Sequence, residues 1–398
     1  MPSPPERSAA ILRHLKRRID GVEERIQSDA IPNPIGTSDD GALISDQVTR
    51  GTGTPSVNWP MYRHDPRHTG VADAAGPAGS ATEMWTYSFS GEVVASPVVV
   101  DGIVYGVGGG GTIAAINSGD GTAEWSASPG GPTDATPAVV NGTLYARVGS
   151  NVHAFDTDDG TEQWSQSPSS SGGVSSPAVV NGSVYVGGGD HISAIDASDG
   201  SILWQTGADA RSSPAVVGGT VYCGSNDGTI YALNAGDGSE QWTYNTGNRI
   251  EASPSVVGGT VYVGDTGNNL YALNASDGSE EWVNTSFSGY YGIYSSPAVA
   301  NGTVFCGSSN GALRAVSASD GSNEWTYTTG DVVYSSSPAY ADGVVYIGAW
   351  DSTIHAVNAI DGSENWTFSV GDWVDSSPAV VDGAVYCGCN DGVLYALE

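Results

Sequence analysis

Lysine is almost missing from this sequence. Of 398 residues one is a lysine, Lys16, beside twelve arginines, and the formal net charge is −31. Nine of the thirteen basic residues precede position 70; beyond it only Arg147, Arg211, Arg249 and Arg314 remain. A chain so poor in cations repels nucleic acid and anionic lipid at close range, which argues against both as partners. Long apolar runs are missing too. No stretch approaches the ~18 apolar residues of a membrane span. No uncharged apolar run resembles the core of an export signal, since Lys16-Arg17-Arg18 is followed by "IDGVEERIQ". As written, the chain therefore reads as cytoplasmic, and as extracellular or cell-surface only if its start is misassigned. Cysteine is scarce: Cys223, Cys306, Cys387 and Cys389. The first three follow Tyr222, Phe305 and Tyr386 where other copies of the same stretch carry Val or Ile, the mark of a small buried apolar residue. Cys387 and Cys389 lie two apart in an expected strand, a poor geometry for a mutual disulfide. No second Cys/His pair sits at metal-binding spacing from them.

What is present is repetition. Eight Ser/Thr-Pro steps recur at a period near 40, with prolines at 97, 137, 177, 214, 254, 297, 338 and 378. Each step opens a short β-branched strand ("SPAVV"), then an Asn-Gly, Asp-Gly or Gly-Gly pair suited to a tight hairpin, then a second strand ("TVYVG"). A third strand of the "IYALNA" type, an Asp-Gly turn and a strand carrying tryptophan complete the unit. Such a four-stranded meander cannot bury both faces alone, and radial packing of eight of them makes a β-propeller. The tryptophans are Trp85, Trp125, Trp164, Trp204, Trp242, Trp282, Trp325 and Trp366. All but Trp85 have Asp-Gly starting five residues earlier, and the last unit ends at "VLYALE" without a tryptophan strand. Residues 84–90 are thus expected to complete the blade formed by the C-terminus, which would hide the sheet edges.

The chain divides accordingly. Residues 1–28 read as an amphipathic helix, with Leu15, Ile19, Val22 and Ile26 at spacings of 4, 3 and 4, able to dock or to self-associate. Residues 29–55 read as a flexible linker, 56–78 as a lead-in packing on the ring, and 79–398 as the propeller.

Seven copies of one motif carry a resemblance. It runs Ala115/Asn117/Gly121/Trp125 and Ala154/Asp156/Gly160/Trp164, then Ala194/Asp196/Gly200/Trp204 and Ala232/Asn234/Gly238/Trp242. Ala272/Asn274/Gly278/Trp282, Ala315/Ser317/Gly321/Trp325 and Ala356/Asn358/Gly362/Trp366 complete it. This is similar to the tryptophan-docking motif Ala-x-Asp-x-x-Thr-Gly-x-x-x-Trp of the PQQ-like, or quinoprotein-dehydrogenase-like, eight-bladed propellers. Asp stands here in every copy for the usual Thr. The acidity and near-absence of lysine resemble haloarchaeal, salt-adapted members. The resemblance implies two functions. Its enzymes bind pyrroloquinoline quinone with calcium and oxidise alcohols or sugars, one class stacking the quinone on an adjacent Cys-Cys disulfide. Other members are interaction scaffolds. This chain has no adjacent Cys-Cys pair and few insertions between repeats, so the expectation is a scaffold that is not an enzyme and needs neither quinone nor calcium.

Other matches are superficial. Gly106-x-Gly108-x-x-Gly111 and the GxSxG-like Gly307–Gly311 lie between strands with no helix following. His64 and His68 lack a third metal ligand nearby, and "DTDDG" (156–160) lacks the distal glutamate of a calcium loop. No catalytic or metal-binding residue is assigned. The loops from each tryptophan strand to the next Ser/Thr-Pro, and those between second and third strands, vary most, and variation on a rigid scaffold is where binding resides. They become aromatic late in the chain, with Tyr290, Tyr291, Tyr294, Tyr334, Trp350 beside Asp351, and Trp373 near Asp375. These residues are the candidate surface for a protein or glycan partner.

Overall fold

A computed structural model describes residues 58–72, 74–77, 79–168 and 174–398. The helix and linker expected before residue 56 lie outside the described residues. The rest is the expected eight-bladed propeller: thirty-two strands in eight four-stranded antiparallel sheets. Blades 1 to 7 each use four consecutive strands, from Val98–Ala127 in blade 1 to Ala339–Ser369 in blade 7. Blade 8 takes its three inner strands from Ala379–Leu397 and its outer strand, β1 (Glu83–Ser88), from the other end of the chain. β1 pairs with the last strand in the register Thr86↔Tyr395 and Ser88↔Val393. No helix among the described residues is long and apolar enough to cross a membrane.

The repeated residues have separable jobs. The motif alanine faces the motif tryptophan across the ladder in every blade, from Ala115↔Trp125 to Ala356↔Trp366, and Ala396↔Trp85 completes the series. A larger side chain there would displace the indole. Each indole then reaches into the next blade. Trp85, Trp125, Trp164, Trp204, Trp242, Trp282 and Trp325 donate Nε1–H to a turn carbonyl at 2.8 to 3.0 Å. The glycine of that same turn lies against the ring: a Cβ added at Gly121, Gly160, Gly200, Gly238, Gly278, Gly321 or Gly362 would come within 2.5 to 2.8 Å of indole carbons. All seven glycines also have positive φ, so glycine answers both demands. The aspartate preceding it caps the turn, as where Asp120 accepts the Thr122 N–H at 3.0 Å.

The inner hairpins have positive φ at both central residues, for example Asn141 (52°) with Gly142 (77°) and Asp342 (42°) with Gly343 (83°). This is the primed turn whose twist matches antiparallel strands. Between blades, Gly224, Gly264, Gly307, Gly348 and Gly388 leave room for Ile250, Ile293, Val333, Val374 and Val93 of the following blade. In blade 2 Arg147 stands at this position, fully buried, its guanidinium on the Gly187 carbonyl, and desolvation pulls it down to about 10.

Candidate functional site

The eight Ser/Thr-Pro steps meet on the axis. Ser96, Thr136, Ser176, Ser213, Ser253, Ser296, Ser337 and Ser377 each accept, on the side-chain oxygen, the backbone N–H of the equivalent residue in the neighbouring blade, at 2.8 to 3.0 Å. Ser377 N–H donates to Ser96 and closes the circle. The following proline holds the residue before it extended, which aims the hydroxyl along the ring. Where the step reads Ser-Ser-Pro, the first serine has a second task. Ser175, Ser212, Ser295, Ser336 and Ser376 accept the glycine N–H of the same blade's second strand at 2.7 to 3.1 Å. The Ser/Thr-Pro count marked strand starts in the sequence but not this ring; its signal was a hydroxyl kept in all eight copies.

The lead-in covers one end of the lumen. Trp59, buried, bridges Val99, and the carbonyls of Pro60, Pro66, Arg67, Thr69 and Gly70 accept N–H groups from the innermost strands of blades 2, 4, 5, 6 and 7 at 2.7 to 3.1 Å. The Tyr62 hydroxyl reaches Ser296 (3.0 Å) and Ser337 (3.3 Å). His64 packs edge-on against Trp59, while His68 turns elsewhere, its Nδ1 3.1 Å from the Pro254 carbonyl. Burial pulls the His68 imidazole down to about 4. The lumen therefore opens toward the variable loops. Its mouth includes Asp134, Arg211, Glu251, Tyr294, Ser335 and Asp375, and a cavity of about 60 Å³ there has room for a few waters.

Beside the mouth stands an aromatic wall running across blades 6, 7 and 8. Tyr290, 91% exposed, meets Tyr291 edge-on at 4.9 Å between ring centroids. Tyr291 touches Tyr334 (5.6 Å) and Trp350 (6.3 Å), and Tyr294 stacks on Tyr334 (4.6 Å). Trp350 stacks in turn on Trp373 at 4.4 Å with 12° between planes. Five of the six rings thus link to Trp350 directly or through one neighbour. Tyr334 and Trp350 are buried, Tyr291, Tyr294 and Trp373 half-buried. Asp375, also buried, fixes the wall to the mouth: it accepts the Trp350 indole N–H (2.9 Å), the Ser335 hydroxyl (3.0 Å) and the Asn390 amide (2.9 Å).

Asp351 is apart from the wall. Its carboxylate accepts the Gly330 N–H at 2.7 Å and lies 3.2 Å from His355 Nε2. Burial pushes its acidity one way, but the His355 hydrogen bond and charge and the Gly330 N–H outweigh it and hold Asp351 below the ordinary carboxyl value. His355 Nδ1 meets the Tyr327 hydroxyl (3.0 Å), which donates to Glu364 (2.8 Å) across the joint between blades 6 and 7.

Among the described residues, no three His, Cys, Asp or Glu side chains lie together. All four cysteines are free and buried, and burial pushes the Cys223, Cys306 and Cys387 thiols up to about 12. The "DTDDG" carboxylates cap their own turn instead, Asp156 accepting the Asp158 N–H and Asp159 the Thr161 N–H, each at 2.9 Å.

With this geometry established, the chain can be set beside known proteins. The family model for outer membrane protein assembly factor BamB matches residues 76–151, 148–282, 246–348 and 330–398. No curated protein sequence matches the chain. Among solved structures, quinohemoprotein alcohol dehydrogenase from Comamonas testosteroni is similar with a TM-score of 0.73 at 15% identity, covering 85% of this chain and 80% of that one. A europium-containing methanol dehydrogenase gives 0.74 at 13%, covering 86% and 98%. BamB from Moraxella catarrhalis gives 0.69 at 17%, covering 80% and 97%. At these identities the likeness shows the fold. It also overturns the expectation that the chain is not an enzyme, because two of these neighbours are dehydrogenases. The physical reason is that the repeats report blade packing, which catalytic and other propellers share, so short loops and a missing Cys-Cys pair are no ground for excluding catalysis.

Proposed function

The chain belongs to the PQQ-like propeller family that the BamB model describes, and from that premise we propose that its variable-loop face is a recognition surface for a protein partner. One observation carries this reading: a continuous series of ring contacts leads from exposed Tyr290 to half-buried Trp373 over three blades. Aromatic side chains give a large contact area at little entropic cost and dominate binding hot spots. The buried members, Tyr334, Trp350 and Asp375, are supports; Tyr290, Tyr291 and Trp373 are the contact residues.

The test follows from that division. Tyr290→Ala combined with Trp373→Ala should lower capture of the partner from a high-salt extract at least tenfold, as expected for two hot-spot residues at ~1–2 kcal/mol each, with little change in melting temperature. Undiminished capture would dismiss the surface. A second reading, oxidation of an alcohol or sugar, is favoured by the polar mouth opening on the same face and by the names of the dehydrogenases sharing the fold. Dye-linked turnover that appears on adding quinone and calcium and vanishes with chelator would decide for it.

A further inference from the structure

The wall lies in the most cation-poor part of the molecule. Residues 315–398, which carry Tyr334, Trp350 and Trp373, contain twelve aspartates or glutamates and no lysine or arginine. Asp372, exposed, adjoins Trp373, and Asp391, exposed, lies against Gly371 in the same loop and accepts the Tyr395 hydroxyl at 2.7 Å. Half-buried Asp331 adjoins Val332, whose carbonyl accepts the Trp350 backbone N–H at 2.9 Å, while Asp351 faces His355 instead. Among the arginines of the described residues Arg211 lines the mouth with Tyr294 and Asp375, and the others lie elsewhere. Arg67 pairs with Asp65 at 2.8 Å, Arg249 pairs with Glu251, and Arg314 lies 5.3 Å from the Phe287 ring centroid. Arg63, Arg147 and Arg211 are buried.

An indole face is electronegative and attracts a cation, tryptophan most strongly of the aromatic side chains. Trp373 spends one face on Trp350 and retains solvent exposure. Asp372 and Asp391 add carboxylates beside it, neither in an ion pair with an arginine or histidine of the described residues. We propose that the partner segment taken by this wall is a basic peptide, one of whose arginine or lysine side chains lies on the open face of Trp373 with Asp372 and Asp391 facing its charge, while Tyr290 and Tyr291 take another part of the segment. This rests on the recognition reading above and adds the charge of the partner. A neutral sugar would stack on the same rings and donate its hydroxyls to the carboxylates, but would leave their negative charge uncompensated.

The experiment uses the full chain and a fluorescein-labelled Gly-Arg-Gly-Arg-Gly-Arg-Gly peptide, read by anisotropy at 0.15 M and 1 M NaCl. Gly/Ser and Gly/Glu peptides of the same length and a neutral oligosaccharide serve as rivals. The arginine peptide should bind in preference to all three. Trp373→Ala should weaken it about fivefold, the equivalent of a ~1 kcal/mol cation–π contact, and Trp373→Phe less. Asp372→Asn should weaken it about twofold, while Asp277→Asn, in a turn on the opposite face, should leave it unchanged. An Asp277→Asn effect equal to that of Trp373→Ala would mean diffuse attraction to an acidic protein and would overturn the proposal. Trp373-dependent binding of the oligosaccharide or Gly/Ser peptide without preference for arginine would also overturn it, yet leave the recognition surface standing. If Trp373→Ala changes no binding at all, although its melt matches the parent, both fall.

Discussion

At the scale of single residues, the axis is held by hydroxyls rather than by packed apolar side chains. Each ring hydroxyl satisfies a buried N–H that has no strand partner, and such groups are costly to leave unpaired. Ser213 shows the effect well because its oxygen takes the Ser176 N–H at 2.9 Å in a buried setting. Ser213→Ala deletes the acceptor and keeps the shape, so it should cost about 1–3 kcal/mol. Ser213→Thr should cost much less, since Thr136 fills the equivalent position in blade 2. Guanidinium denaturation would read this as a lower midpoint at unchanged slope. Equal midpoints for parent and Ser213→Ala would mean that water replaces the hydroxyl and that the ring adds nothing to stability.

At the scale of elements, the decisive strand is β1. It supplies the outer edge of blade 8, and Trp85 makes there what the other tryptophans make within their own blades: an alanine opposite (Ala396) and an aromatic ring beside it (Tyr386, 5.9 Å). Its indole then docks on the first blade through the Ser118 carbonyl at 2.8 Å. Deleting 84–90 or 393–398 should therefore abolish the cooperative melt, whereas deleting 1–50 should leave it near the parent temperature. Trp85→Ala should fall between, at about 3–5 kcal/mol. A cooperative, parent-like melt of the 84–90 deletion would refute closure by this strand. This much was legible in the sequence because closure is written in what each end lacks: an Asp-Gly before Trp85, a tryptophan after "ALE". The wall was legible only as a set of residues. That Tyr290 is exposed while Trp350 is buried on Asp375, or that Asp351 turns to His355, depends on loop geometry without any period in the chain. The hydroxyl ring was written eight times over, but its meaning needs the axis, which exists only when all eight blades are assembled.

At the scale of the whole molecule, charge is the dominant feature. Residues 58–398 hold 36 of the 44 acidic residues and only 6 of the 13 basic ones. Seven motif turns place an aspartate on one face, from Asp120 to Asp361, and the wall adds others on the opposite face. Side-chain and backbone hydrogen bonds from the Ser or Thr two residues on hold the turn carboxyls Asp120, Asp237, Asp277, Asp320 and Asp361 below their ordinary value, so they stay ionised well into acid. Like charges at this density repel one another in the folded ring more than in an expanded chain, so the folded state loses stability at low ionic strength. The protein should accordingly melt higher as NaCl rises from 0.05 M. The rise should be steep at first and flatten by about 1 M, where the screening length has shrunk to ~3 Å. Sodium sulfate at matched ionic strength should follow the same curve in the early part and exceed it later, when surface exclusion of sulfate adds to screening. A melting temperature independent of NaCl below 0.5 M would show that hydration or bound cations already neutralise the ring, and self-repulsion would cease to explain its salt response.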